Sequence, residues 1–502
     1  MDKVPFEVHC MIAYHVSQPT QEAGYALQQW LKEHPKAPSR QEGVRQLKAL
    51  RLANKAFSVA ATHYLFSDYQ LLYLRQSFER LDAVSRHNTY SKQVRSLLYE
   101  PALLETYRCS NAWQICSPEA SDLLDAIKTG APTDMTVEQA TEWLHQHAPQ
   151  PYLDKTLEAM SRIRSAYDSY QGYLQDQTQN LQCRRNEVLL KSAIPRRSRL
   201  EHVTLRCVSI WSRNTSSAVH RALEIQWNPI HYGDYGNDRR LGVLELHSIF
   251  NAVFIAARIK TLECHQFSWR FLDASEPELH RMRWTFQWLQ TLELNFFCSK
   301  SDEPLDSLAS GSLVTLLAAL RKLLRLSVSF PRNVGKTAAL QHVVGDAYWP
   351  SLQEIKLGGI DITERELAPV LQKHAATLHT VSLGNIHLLK GNWTTILDCF
   401  RSTLKLREFH SFGGWSAREP VGRWWDVECY CCEDSDEPRL SDSHDVAMAI
   451  RSYVLYGAEF DIHQVLPQRR HPRSRCEYAV GLSSVGPDTW WRVLFFDIGL
   501  RI

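Results

Sequence analysis

Two groups of residues have side-chain types that could carry nucleotide or metal chemistry. The first, Gly335-Lys336-Thr337, matches the end of a phosphate-binding loop. That loop also needs a glycine five positions before Gly335, where this chain has Phe330. The backbone cradle for a phosphate is therefore incomplete, and we expect no nucleotide site here.

A cysteine cluster near the C-terminus is the second group. Cys429, Cys431 and Cys432 lie closer together than the spaced cysteine pairs of structural zinc sites, although His444 follows. The chain also contains no H-E-x-x-H, G-x-S-x-G or G-x-G-x-x-G motif. The sequence therefore predicts no catalytic residue, no metal and no cofactor, and we expect that the protein is not an enzyme.

Length and charge restrict the remaining classes of protein. The 502 residues suffice for several structural units or one extended repeat array. The chain has 57 basic and 55 acidic side chains, so its net charge of +2 gives no field that attracts nucleic acid or anionic lipid. It has no apolar run near the roughly 18–20 residues of a membrane span, and its N-terminus does not read as a secretory signal. Its 12 scattered cysteines fit reduced thiols. We expect a cytoplasmic or nuclear protein, not secreted, without a nucleic-acid or membrane partner.

The pattern Leu-x-x-Leu-x-Leu, with other apolar residues allowed at each position, recurs along the chain. In leucine-rich repeats this pattern forms a short strand with alternate residues facing inward. The copies are Val94-Leu97-Tyr99, Leu200-Val203-Leu205, Leu241-Leu244-Leu246, Ile259-Leu262-Cys264, Leu289-Leu292-Leu294, Leu323-Leu326-Val328, Leu352-Ile355-Leu357, Leu378-Val381-Leu383 and the imperfect Leu404-Arg407-Phe409. This many copies indicate a repeat array.

The last three copies are regularly spaced. They start at Leu352, Leu378 and Leu404, 26 residues apart each time, which is a typical leucine-rich-repeat length. Between them, Ile362 to His374 and Leu388 to Phe400 have the apolar spacing of helices that cover such an array. Since no repeat buries its own apolar face alone, neighbours must stack. We expect an irregular α/β solenoid.

Two segments depart from this pattern. Within residues 101–195, Tyr152 to Lys191 has the apolar spacing of one long amphipathic helix, or two, lying across the array; a short coiled-coil partner helix is the alternative. Residues 413–502 are rich in Trp, Tyr and Arg, and Trp490 to Phe496 has the pattern of a buried strand. This last segment is either a cap that seals the array or an aromatic recognition surface.

The N-terminal segment has the pattern of short amphipathic helices. Pro5 suits a first helical turn, and Val8 and Ile12 follow at helical spacing. After a polar stretch, the periodicity returns from Leu47 to Phe66. Such a small unit buries little surface, so it gains stability from a partner or from the rest of the chain. It is either a helical cap on the array or a docking module.

The residues of this segment resemble the F-box. Val4 to Val8 is similar to the opening Leu-Pro-x-Glu-Ile-like helix of that family, and Leu47 to Phe57 is similar to its Leu-x-x-Leu-Arg-x-x-x-Lys-x-Phe segment. Tyr64 to Phe66 matches its closing apolar pair. Ser77 to Leu81 and Val94 to Leu97 are similar to F-box proteins of filamentous fungi.

The match has two departures from the family pattern. Val4 replaces the usual leucine, and the stretch from Ser17 to Gln46 is longer than the usual link between the first two helices. The resemblance implies docking to a Skp-type adaptor, which bridges to cullin and RING subunits. The implied adaptor-binding residues are Val4, Pro5, Val8, Ile12, Leu47, Leu50, Leu52 and Phe57.

The expected fold class is therefore α/β: a short helical F-box-like module, then an irregular leucine-rich-repeat solenoid with a helical insertion and a C-terminal cap. The expected domains are residues 1–70, 71–412 and 413–502. The expected function is substrate recognition for a Skp–cullin–F-box ubiquitin ligase; the alternative is a non-catalytic repeat scaffold with no ligase role. Hypothetical substrate-binding residues are Lys356, His379, Ser382, Lys405 and Trp415, and the protein substrate is unknown.

Overall fold

The structure is a computed structural model of the chain. It describes residues 40–53, 55–101, 142–143, 146–147, 150–197, 199–207, 242–256, 258–297, 308–330, 338–412, 414–417, 423–426 and 440–458. The predicted first helix, Gly335 to Thr337, the cysteine cluster at 429–432 and the strand predicted at 490–496 lie outside these residues.

The described elements fall into two compact units that divide at Leu200. The predicted domain limits at residues 70 and 412 do not coincide with this division. The first unit contains α1 (Arg40–Ala53), α2 (Lys55–Leu65), β1 (Asp68–Leu72), α3 (Arg75–Arg86), β2 (Ser96–Glu100), α4 (Gln150–Cys183) and α5 (Arg185–Ala193). The strands β1 and β2 pair in parallel.

The long helix predicted across Tyr152 to Lys191 is confirmed as two consecutive helices, α4 and α5. Asp82 of α3 ties α5 to this unit, because its carboxylate accepts from Arg196 Nη1 at 3.1 Å and pairs with Arg86 at 2.7 Å. Arg197 is buried, and its Nη2 donates to the Leu81 carbonyl at 2.9 Å. Burial lowers the pKa of the Arg197 guanidinium to about 10.

The second unit alternates short strands with helices. Its elements are β3 (His202–Arg206), α6 (Val243–Ala256), β4 (Thr261–Ser268), a 3₁₀ turn (Trp269–Asp273), α7 (Glu276–Phe286), β5 (Thr291–Phe297), α8 (Ser312–Ala318), β6 (Arg325–Ser329), β7 (Ala338–Ala339), α9 (Leu340–Val343), β8 (Glu354–Gly358), β9 (Ile360–Thr363), α10 (Glu364–Gln372), β10 (Thr380–Gly384), β11 (His387–Lys390), α11 (Trp393–Thr403), β12 (Glu408–Phe412), β13 (Gly414–Ala417), β14 (Arg423–Asp426) and α12 (Leu440–Tyr456).

The main sheet of this unit is parallel, with strand order β3-β4-β5-β6-β8-β10-β12. The α/β class with a parallel sheet is therefore confirmed. The apolar positions of the repeated pattern form the core side of these strands, and Leu262, Leu292, Leu326, Ile355 and Val381 are each at most 1% exposed. Burying one such side chain contributes about 1.5–3 kcal/mol.

One copy of the pattern was assigned wrongly to a strand. Leu241 lies outside the described residues, and Leu244 and Leu246 belong to helix α6. Leu246 is buried with Ile249 and Val253, whereas Leu244 is 57% exposed. Spacing of three to four residues between the buried side chains is that of a helix, so the helical period decides over the short local match.

The register of the last repeat also differs from the prediction. Thr380 pairs with Glu354, which confirms the first 26-residue step, but Thr380 pairs on its other side with Glu408, 28 residues further on. Phe409 therefore occupies the buried position equivalent to Val381. The imperfect slot at Arg407 arose because the expected step was two residues too short.

A second sheet, with order β14-β13-β11-β9-β7, follows the main one. Its strands β9 and β11 contain Ile362 and Leu388, which were expected to begin the covering helices. The helices α10 and α11 start later, at caps: Glu366 accepts from the Thr363 backbone N–H at 2.9 Å, and Asn392 accepts from the Thr394 N–H at 2.9 Å.

The main-sheet strand β12 is followed by elements that continue the same packing. Trp415 of β13 is fully buried, stacks on Trp393 of α11 with ring centroids 4.2 Å apart, and donates its indole N–H to the Leu383 carbonyl at 3.3 Å. Helix α12 packs on β12 and α11, where the Tyr453 hydroxyl bonds to Asp398. Within the described ranges, no helix is long and apolar enough to cross a membrane.

Candidate functional site

The candidate site is the side of the main sheet opposite its apolar core, which we call the polar face. Side chains alternate along a strand, so the residue between the last two apolar positions of each repeat points to this face. In register across the sheet these residues are Thr204, Glu263, Glu293, Ser327, Lys356, Ser382 and His410, which we call the central row.

At the β8–β12 end, the polar face presents a cation beside an aromatic ring. Phe412 of β12 lies across Gly384 of β10, where any side chain would overlap the ring. The ring reaches Lys356 of β8, whose Nζ is 5.3 Å from its centroid. This cation–π contact holds the ammonium beside a half-exposed apolar surface. Gly384 is therefore required for close approach between two strands.

At the β3–β5 end, the polar face is acidic. Glu263 and Glu293 are register partners, an arrangement that is repulsive for like charges. The imidazole of His265 is 3.8 Å from each carboxylate. Interaction with His265 lowers the pKa of the Glu263 carboxyl, burial opposes the shift, and the Thr204 hydroxyl, donating at 3.1 Å, adds to it.

The structure brings together two of the five predicted substrate-binding residues. Lys356 and Ser382 are register partners in the central row, although Ser382 is largely buried. His379 immediately precedes β10 and Lys405 lies before β12, so both are near the N-terminal ends of strands rather than on the polar face. Trp415 lies in the core, and its burial does not fit the expected contact with a substrate.

Sequence reasoning missed Phe412 and the cluster of Glu263, His265 and Glu293. The signal for the two glutamates was present, because each lies between the last two apolar positions of its repeat, as Lys356 does. Phe412 could not be found this way, because its contact with Lys356 spans two strands and depends on Gly384.

The helices α1 and α2 hold the described part of the predicted adaptor-binding set. Leu47 is buried against Ala60 and Ala61, with Leu50 packed on the same cluster, and Phe57 is also buried. Leu52 is 89% exposed. Val4, Pro5, Val8 and Ile12 lie outside the described residues. The two helices thus have a small core of their own and leave one predicted contact residue on the surface.

Two buried thiols in the second unit are unsuited to nucleophilic chemistry. Burial raises the pKa of Cys207 and of Cys264 well above the usual range. In the part of the chain that the structure describes, no group of three or more His, Cys, Asp or Glu residues could hold a metal ion. The described geometry is therefore that of a surface with paired donors, acceptors and one aromatic ring.

No family model and no curated protein matches this chain. The class is defined by the fold alone: an α/β protein whose parallel sheet has one apolar and one polar face.

Proposed function

We propose that this chain is a substrate-recognition subunit of a Skp–cullin–F-box ubiquitin ligase. In this function the N-terminal segment through α2 is an F-box-like module that binds a Skp-type adaptor, and the main sheet belongs to an irregular leucine-rich-repeat array. The protein performs no covalent step. It holds a protein substrate near the charged conjugating enzyme, which raises the effective concentration of that substrate.

The observation that carries the proposal is the exposure of apolar side chains on the small α1–α2 unit. Leu52 is 89% exposed and Val59 is 55% exposed. Leu52 belongs to the segment that resembles the F-box, and the unit's own core uses Leu47, Ala60 and Ala61 instead. Exposed apolar side chains on a small helical unit are what docking to another protein requires.

The polar face supports the recognition half of the proposal. A substrate needs hydrogen-bond donors and acceptors together with at least one apolar anchor. The central row provides the first, and Phe412 beside Lys356 provides the second. Lys356 and Phe412 are therefore our proposed substrate contacts, with Ser382 between them.

Adaptor binding tests the proposal directly. The full-length chain is co-expressed with a Skp-type adaptor, and co-purification and affinity are measured for the parent, Leu52→Glu and Val59→Glu. We expect a loss of binding of about tenfold or more, because a carboxylate would enter an apolar interface. Leu181→Glu on α4, also an exposed leucine, is the matched control and should bind as the parent does. If the parent does not bind the adaptor, the ligase function is wrong and the repeat scaffold remains.

A further inference from the structure

A tryptophan flanked by two cations lies at the N-terminal edge of the main sheet. The Arg258 guanidinium carbon is 4.3 Å from the Trp288 ring centroid, and the Lys322 Nζ is 4.4 Å from the same ring. We call these three residues the edge cluster. They lie apart from the polar face, in loops that lead into β4, β5 and β6.

The edge cluster is held in place by the sheet register. Each member lies three residues before the first paired residue of its strand, which is Thr261, Thr291 or Arg325. Backbone bonds extend this register into the loops, where Gln290 N–H donates to the Lys260 carbonyl at 2.7 Å and Leu324 N–H donates to Gln290 at 2.7 Å. The three side chains are therefore adjacent because their strands are adjacent.

The charges of the edge cluster are not neutralised by described neighbours. Among the described residues, Arg258 and Lys322 have no carboxylate partner, and the same is true of Arg321 and Arg325 nearby. Lys260, in contrast, pairs with Glu201 at 2.8 Å. Arg258 and Lys322 are both exposed. The cluster thus combines unpaired positive charge with a half-buried aromatic surface.

We propose that the edge cluster binds a short acidic segment of a protein partner. A guanidinium lying on an indole ring keeps its N–H groups available for a carboxylate, with which it can form two parallel hydrogen bonds. Lys322 supplies a second charge, and the Trp288 ring gives the segment an apolar contact. This proposal concerns a different surface from the adaptor and substrate contacts above and does not depend on them.

A protein segment fits the edge cluster better than a nucleic acid does. A polyphosphate needs an extended basic track, but the basic cluster is short. Glu201 lies beside it, and Glu263 and Glu293 lie two residues further along β4 and β5. These carboxylates would repel a continuous row of phosphates while leaving room for a few side-chain carboxylates.

Direct binding of a labelled peptide to the full chain tests this proposal. The probe is a fluorescein-labelled peptide of alternating glutamate and leucine, and its neutral counterpart has glutamine at each glutamate; binding is followed by fluorescence anisotropy. We expect Arg258→Gln with Lys322→Gln to weaken binding about fivefold or more, since each exposed ion pair contributes up to about 1 kcal/mol. A salt concentration of about 1 M should abolish binding, because the Debye length is then about 3 Å.

The matched control removes two positive charges elsewhere in the same unit. Arg365→Gln with Lys390→Gln changes the net charge equally at two exposed positions, and this variant should bind within about twofold of the parent. Arg258→Lys keeps the charge but not the planar group, so it should give an intermediate affinity.

Three results would overturn the proposal: equal binding of the neutral peptide, unchanged binding by the Arg258/Lys322 double variant, or tighter binding of an equally charged oligonucleotide that the same double variant loses. The peptide assay contains no adaptor. Failure here is therefore distinct from failure of the ligase proposal.

Discussion

Replacing Trp415 by alanine tests whether this residue belongs to the core or to a binding surface. The indole ring is fully buried, its centroid is 4.2 Å from that of Trp393, and its N–H donates to the Leu383 carbonyl at 3.3 Å. The ring thereby joins β13, α11 and β10. Its removal takes away the aromatic contact, the hydrogen bond and the volume that fills this part of the core.

The expected cost of Trp415→Ala is about 3–5 kcal/mol, the range for large-to-small substitution of a buried aromatic residue. A domain has about 5–15 kcal/mol of stability in total, so this loss is a large fraction. Urea unfolding of the purified chain, followed by circular dichroism, measures it. Trp415→Phe keeps most of the ring and loses the N–H donor, so it should cost only about 1–2 kcal/mol. Tyr348→Ala, at an exposed aromatic residue, is the control and should cost less than about 1 kcal/mol.

The opposite outcome is equally informative. If Trp415→Ala unfolds at the same urea concentration as the parent but loses a protein substrate, the ring is at a surface and the packing of β13 on α11 is wrong. If both Trp415→Ala and Tyr348→Ala are strongly destabilising, the assay does not distinguish buried from exposed aromatic residues. The reasoning requires that the two variants differ.

Two further predictions concern a reassigned element and a titrating carboxyl. In helix α6, Leu246→Ala should cost about 2–4 kcal/mol of unfolding free energy and Leu244→Ala less than about 1, whereas an inward-facing strand would make both costly; urea unfolding measures the pair. Burial raises the pKa of Glu278, but hydrogen bonds from the Ser275 N–H and hydroxyl, at 2.8 and 2.6 Å, lower it further, to about 2. Because the folded-state pKa lies below the unfolded value near 4.5, this carboxylate stabilises the fold above pH 4.5, and the contribution is lost as the pH falls toward 2. Glu278→Gln should therefore lose less stability over this range than the parent, as measured by thermal unfolding at several pH values; an identical pH dependence would contradict the capping role.

The strands of the main sheet could be predicted because their residues alternate in a way that no other part of the chain does. Leu262, Leu292 and Leu326 are buried and separated by polar residues that face the other side. A two-residue period of this kind reports the strand directly. The helices α10 and α11 could be predicted for the same kind of reason, since Leu367, Val370 and Leu371 share one helix face.

The second sheet could not be predicted from these patterns. Its strand β9 is Ile360–Thr363 and its strand β11 is His387–Lys390, each too short to show a period. Apolar residues there, such as Ile362, are equally compatible with the start of a helix. The step of 28 residues into β12 was hidden for a related reason: Leu404 and Leu406 are both apolar, and only pairing with β10 decides which register is used.

The candidate site was partly predictable, and its missing residues share a cause. Lys356 and Ser382 could be named because a single strand pattern places each of them on the polar face. Phe412 acts on Lys356 from two strands away, across a position that must be glycine. Arg258, Trp288 and Lys322 lie in three separate loops and meet only because those loops enter neighbouring strands in the same register. Contacts along one strand are written in the local sequence, whereas contacts across strands require the register of the sheet. Because surfaces that bind proteins are assembled across strands, the residues that matter most for recognition are those that a local pattern identifies least well.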